Sequence, residues 1–310
     1  MSELSAPLPT NSGVIHDLGY RRYEGERLGR VQIVRALSWH SFRSAFGLGR
    51  GVKAKIVPLI TFVLICLPAV VNAVIVATGT THTRQVNYDT YIFQLRVIVM
   101  AIFVAVQAPE LVSRDLRSHV LPLYFSRPLR RLDYPLAKLA AFTAACLVMI
   151  EIPLILLYLG TIVSASGPSG VWNETKALIP GLLVGVMWAI LLAAIGLALA
   201  SLSGRRAYAT GAIAIYFFLT LSLAGILLRI ARRAAGPVFV SAPTTGARLS
   251  GLVSPFTVMD GVRRWLGGTS PGPVPRDLGP YGPVYGLMLL ALVAVSLGIL
   301  VTRYRRVGVA

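Results

Sequence analysis

The stretch ALIPGLLVGVMWAILLAAIGLALAS, residues 177–201, runs for 25 positions without a single charge. As a helix rising 1.5 Å per residue it is about 37 Å long, enough to cross the ~30 Å hydrocarbon core of a bilayer. Similar apolar blocks recur at about 56–77, 91–110, 135–163, 208–228 and 283–302. Only 14% of the 310 residues are charged and 55% are hydrophobic, too polar-poor a balance to coat a soluble domain of this length. These blocks predict an all-α, polytopic membrane helix bundle with six transmembrane helices over 56–310, behind a cytosolic N-terminal segment over 1–55. Glycine and alanine pairs four residues apart, Gly181 with Gly185, Gly196 with Ala200 and Ala294 with Gly298, would let helices approach closely.

Lysine and arginine set the orientation. Nine precede the first block, six lie between the second and third, two between the fourth and fifth, and three follow the sixth. Twenty therefore fall on one side, against Arg84 and Lys176 in the loops after spans one and three. Cytoplasmic N- and C-termini in the cell membrane follow from this count. The first apolar block begins only at Ile56, so entry through internal spans, with no cleavable signal, is expected. The loop 229–282 runs against the pattern, holding seven arginines on the side assigned as external. Long loops translocate with less regard to charge, and an odd number of spans would fit these arginines but misplace the C-terminal cluster.

The net charge of +18 suggests nucleic acid at first sight, yet the cations flank spans, where they meet anionic lipid headgroups. No nucleic acid partner is expected. Cys66 and Cys146 lie inside apolar blocks and read as small hydrophobes. G-x-x-x-x-G-K-[ST], H-E-x-x-H and G-x-S-x-G are all absent, so the chain is expected to be no enzyme and to hold no metal or cofactor.

Three segments are more than spans. Residues 1–13 read as a polar tail, and a turn-rich basic and aromatic run leads into a helix predicted from Arg30 to Phe46. This helix either lies in the headgroup interface or packs on a partner protein. The connector 109–134, PELVSRDLRSHVLPLYFSRPLRRLDY, has charges of both signs followed by apolar and aromatic residues. Ser113 is placed to cap a short helix, Asp115 suits its first turn, and Pro122 should limit it. In the outer loop, Ser254-Pro255 starts a helix on which Phe256, Met259 and Val262 recur at helical spacing between Asp260, Arg263 and Arg264. An amphipathic or re-entrant helix at the outer interface is predicted.

Within the spans, Glu151 sits deep in the third beside Pro153, while Arg96, Gln94 and Gln107 share the second. Intramembrane ionisable groups are costly and usually face an interior or a water-filled path. Arg96 can snorkel outward. Glu151 is open to three readings: protonated, hydrogen-bonded across helices, or part of a substrate path with Gln107 and Arg96.

The run PELVSRDLRSHVLPLYFSRPLRRLDYPLAK resembles the connector between spans two and three of type 2 ABC-transporter permeases, the six-span membrane subunits of bacterial exporters. Glu110, Ser126, Pro128, Tyr134 and Lys138 match that pattern, and the run YRRYEGERLGR and the overall layout resemble actinobacterial members. The resemblance implies that Glu110 closes span two and that a coupling helix at about Val112–Leu121, carrying Arg114, Asp115, Arg117 and Leu121, docks on an ABC ATPase subunit. It also implies ATP and Mg on that partner, a second permease protomer, and an outer gate helix bearing Phe256, Met259 and Val262. The cargo implied is a hydrophobic or amphipathic drug, antibiotic or lipid. An integral-membrane enzyme acting on lipid, with residues assembled around Glu151, and a non-transporting anchor or sensor are the competing classes.

Overall fold

The computed structural model describes residues 25, 29–78, 87–93, 96–118, 120–126, 129–165, 167–235, 243–268 and 272–306. Among these there is no strand. Six helical stretches are long and apolar enough to cross a membrane: α2 (Lys53–Ala77), α3 (Arg96–Leu111) taken with the short helix that continues it to Arg117, α6 (Asp133–Val163), α7 (Gly167–Ser201), α8 (Arg206–Ala235) and α11 (Gly282–Arg306). Shorter helices fill the connections: α1 (Arg30–Ala45), α4 (Ser113–Arg117), α5 (Leu121–Phe125), α9 (Thr245–Leu249) and α10 (Pro255–Trp265). The chain is thus built as a multi-pass membrane protein.

The six predicted spans each coincide with one long helix, and the differences lie at their ends. The second was expected from 91, but residues Tyr88–Phe93 form a 3₁₀ turn and the helix starts at Arg96. That turn is tucked inward: Tyr91 donates to the Ile65 carbonyl at 2.6 Å, and Tyr88 shares a 2.8 Å hydrogen bond with the Thr161 hydroxyl. The fourth helix begins at Gly167, ten residues before the predicted start; polar residues such as Asn173 and Glu174 extend it beyond the apolar block.

Helices α3 and α7 form the centre. In their apolar stretches 72% and 67% of residues are buried, whereas α2, α8 and α11 bury only 22–28% and so keep most of their surface for lipid or another protein. Close approach uses the small residues of α7. A Cβ added at Gly196 would meet Val104 of α3 at 2.4 Å, and one at Gly181 would meet Tyr88 at 2.7 Å. The predicted Ala294–Gly298 pair makes no such contact, since nothing lies within 4 Å of a Cβ at Gly298.

Helix α1 forms where the sequence predicts it and packs along α6, burying Leu37, Ser41, Ser44 and Ala45 while Trp39 stays exposed. Arg30 ties it there, donating from Nε and Nη2 to the two oxygens of Asp133 at 2.7 and 2.5 Å. The tail, all but Gly25, Gly29 and Arg30 of the basic run, Gln94 and Pro128 lie outside the described residues.

Candidate functional site

The connector between α3 and α6 was expected to hold one helix at Val112–Leu121. It folds instead as two short helices, α4 and α5, broken around Ser118. Pro122 opens the second helix and does not close the first, because the missing N–H of proline costs nothing in a first turn. Ser113 is not the cap. It is the first residue of α4, and its hydroxyl donates to the Ala200 carbonyl of α7 at 2.8 Å.

Three side chains hold this connector to the bundle. Glu110, at the end of α3, accepts from Arg50 Nη1 at 2.6 Å on one oxygen and from Arg206 on the other. Arg50 comes from the link between α1 and α2, and Arg206 from the first turn of α8. Asp115 of α4 accepts from both Lys138 Nζ, at 2.9 Å, and the Tyr134 hydroxyl, at 2.7 Å. Lys138 is only 5% exposed, and a buried ammonium is tolerated when a carboxylate and an aromatic face compensate the lost water; the Tyr134 ring centroid lies 5.4 Å away. Tyr134 is flanked in turn by the rings of Tyr124 and Tyr304, so α5, α6 and α11 meet at one point.

These ties change the expected setting of Asp115, which is ion-paired within the chain and not an exposed charge. Glu110 ends α3 and is ion-paired there. Leu121, 2% exposed, points into the core. Arg114 and Arg117 alone of the predicted coupling residues are exposed, alongside Leu123, which is 69% exposed on α5.

Of the residues grouped as a substrate path, Gln107 and Glu151 lie at different levels of the bundle. Gln107 sits one turn from Glu110 and lines the cleft beside it. Arg96 begins α3 at the opposite end of the helix, and its side chain lies outside the described ones. Glu151 lies inside α6 against α7, where a Cβ at Gly185 would fall 2.2 Å from its Oε1. Both carboxyl oxygens are buried and have no hydrogen-bond partner among the described residues.

At the other end of the bundle, the loop after α8 folds into a cap. Ser254 caps α10 as predicted, accepting from the Phe256 N–H at 3.4 Å. The helix is then enclosed on every side from Pro255 to Arg263, so it is embedded between α8 and α11 and has no broad face left for an interface. Phe256 packs at a tilt against the rings of Trp188 and Phe217, each with centroids 5.3 Å apart, and Met259 and Val262 are buried with it.

Sequence reasoning missed what three arginines of this loop do. Arg263, 2% exposed, donates to Asp260 at 2.7 Å and to Asp89 of the 3₁₀ turn at 2.7 Å. Asp260 also accepts from Arg264 Nε at 3.5 Å and the Val274 N–H at 2.9 Å. Burial pushes the Arg264 guanidinium below its ordinary pKa, and Asp260 opposes that shift. Arg248 pairs with Asp277 at 2.7 Å. Much of the excess charge that ran against the orientation rule is therefore neutralised locally. No sequence signal marks Asp89 as the partner of a residue 174 positions away.

Comparison with models of known families and with curated proteins gave no match for this chain.

Proposed function

We propose that this chain is the membrane subunit of an ATP-driven exporter of the type 2 ABC permease kind, with its α1 end in the cytoplasm. One observation carries the reading. The α4–α5 connector is fastened to four spans through Glu110, Ser113, Asp115 and Arg206, yet turns Arg114, Arg117 and Leu123 outward. A short element with charged and apolar exposed groups, held rigidly to the spans, suits the transmission of a push from a soluble partner. Ionic ties pass displacement on without the slack of a solvated loop.

In this reading an ABC ATPase pair binds ATP and Mg, closes, and moves α4–α5. Through Asp115–Lys138 the motion reaches α6, and through Glu110 it reaches α3 and α8. The exposed flanks of α2, α8 and α11 meet lipid or a second protomer, and the cargo is a hydrophobic or amphipathic compound.

The test is co-purification of the full chain with an ATPase from its native cell, followed by charge reversal. Stoichiometric ATPase should co-elute, and Arg114→Glu with Arg117→Glu should cut ATPase stimulation and transport by about tenfold, two exposed charge contacts being lost. Unchanged transport by that variant, or a chain active on lipid with no ATPase bound, overturns the proposal.

A further inference from the structure

At the α1 end of the bundle a cleft of about 600 Å³ opens between α2 and α8, over α3 and α4. Arg50, Lys53, Arg114, Arg117 and Arg206 line it, with Glu110 as the single carboxylate. Glu110 is already shared by Arg50 and Arg206. Lys53, Arg114 and Arg117 have no acidic partner among the described residues. Five cations against one carboxylate leave an excess of four positive charges in one recess, a repulsion that an anion would relieve.

The inner wall is different in character. Ala54, Val57 and Val106 line it together with Gln107, which is 3% exposed. Beside the cleft, α2 exposes Ile56 and Ile60 and α8 exposes Tyr208. These belong to the two helices that bury least of their apolar surface within the chain, together with α11. A recess that is cationic at its mouth and bordered by bare apolar helix faces matches a ligand with an anionic head and hydrocarbon chains.

We infer that this cleft binds the phosphate headgroup of an anionic phospholipid, with its acyl chains along α2 and α8. Guanidinium forks bind phosphate oxygens in pairs, and Lys53 adds a point charge at the first turn of α2. The bound phosphate competes with Glu110 for Arg50 and Arg206, so occupancy loosens the tie that joins α2 and α8 to the end of α3. The inference goes beyond the exporter reading and does not depend on it, because its readout is lipid binding by this chain alone.

The experiment is native mass spectrometry of the full chain in detergent, titrated with phosphatidylglycerol or phosphatidylcholine of equal chain length. Phosphatidylglycerol should be retained preferentially. Lys53→Gln, an exposed change, should weaken it about fivefold, the worth of one cation near a headgroup. Lys53→Arg should restore binding, and Lys55→Gln, outside the cleft, should leave it unchanged. Equal retention of the two lipids, or Lys53→Gln binding as wild type, overturns the inference. Full displacement by millimolar inorganic phosphate overturns it in favour of a free-anion site. A co-purifying acidic protein that alone is lost from Lys53→Gln overturns it in favour of a protein-docking surface.

Discussion

Lys138 Nζ lies 2.9 Å from the Asp115 carboxylate, joining the first turns of α6 to α4 across the connector that separates them. Both groups are largely removed from water, so each depends on the other to offset its desolvation. Lys138→Met should therefore lower stability by about 3 kcal/mol, the low end for a buried pair because Asp115 keeps some exposure. Adding Asp115→Asn should recover much of that loss. A double-mutant cycle on thermal unfolding in detergent measures it, and additive single effects would count against a direct tie.

The cap at the far end rests on Arg263. Arg263→Met leaves fully buried Asp260 with only Arg264 and the Val274 N–H, and removes the Arg263 ion pair from Asp89. The expected cost is about 3–5 kcal/mol, read as a lowered unfolding midpoint. A loss below about 1 kcal/mol would mean that water reaches these carboxylates.

Gly160 marks a close approach of α6 to α2. A Cβ there would fall 2.2 Å from the Ala73 Cβ and 2.4 Å from its Cα, and backbone cannot step aside. Gly160→Ala should cost about 1–3 kcal/mol by overpacking, whereas Gly298→Ala, facing open space within the chain, should cost nothing in the monomer. Equal midpoints for the two variants would refute the packing.

Glu151 offers the opposite case. Its carboxyl group is buried without a hydrogen bond among the described residues, so Glu151→Gln removes an ionisable group and breaks no bond seen there. The unfolding midpoint should hold or rise. A fall of more than about 1 kcal/mol would reveal a hydrogen-bond partner supplied by ligand, water or a second copy.

Arg30 anchors α1 through its paired bonds to Asp133, which also raise the arginine's own pKa. Arg30→Ala should release the helix from α6. Trypsin would then cut at Arg35 and Arg43 faster than in the parent chain, as followed by fragment mass.

Long apolar blocks were legible at once, and so was α1, because length and hydrophobicity are properties of contiguous residues. The start of α10 was legible too, since Ser254 and Pro255 act within their own turn. The connector was read as one helix where there are two: nothing local says that the Ser113 hydroxyl is drawn to α7 and Lys138 takes Asp115.

Sequence by itself determined the six spans, the helix that precedes them and the side on which most cations gather. Tertiary structure alone decided which charges are spent and which remain. Asp115 is locked to α6 while its neighbour Arg114 faces the basic cleft; Arg263 is buried between two aspartates while Lys53 has no acidic partner among the described residues. An ion pair depends on which faces of distant helices meet, and helical periodicity fixes a residue's angle on its own axis but not the neighbour it will find there.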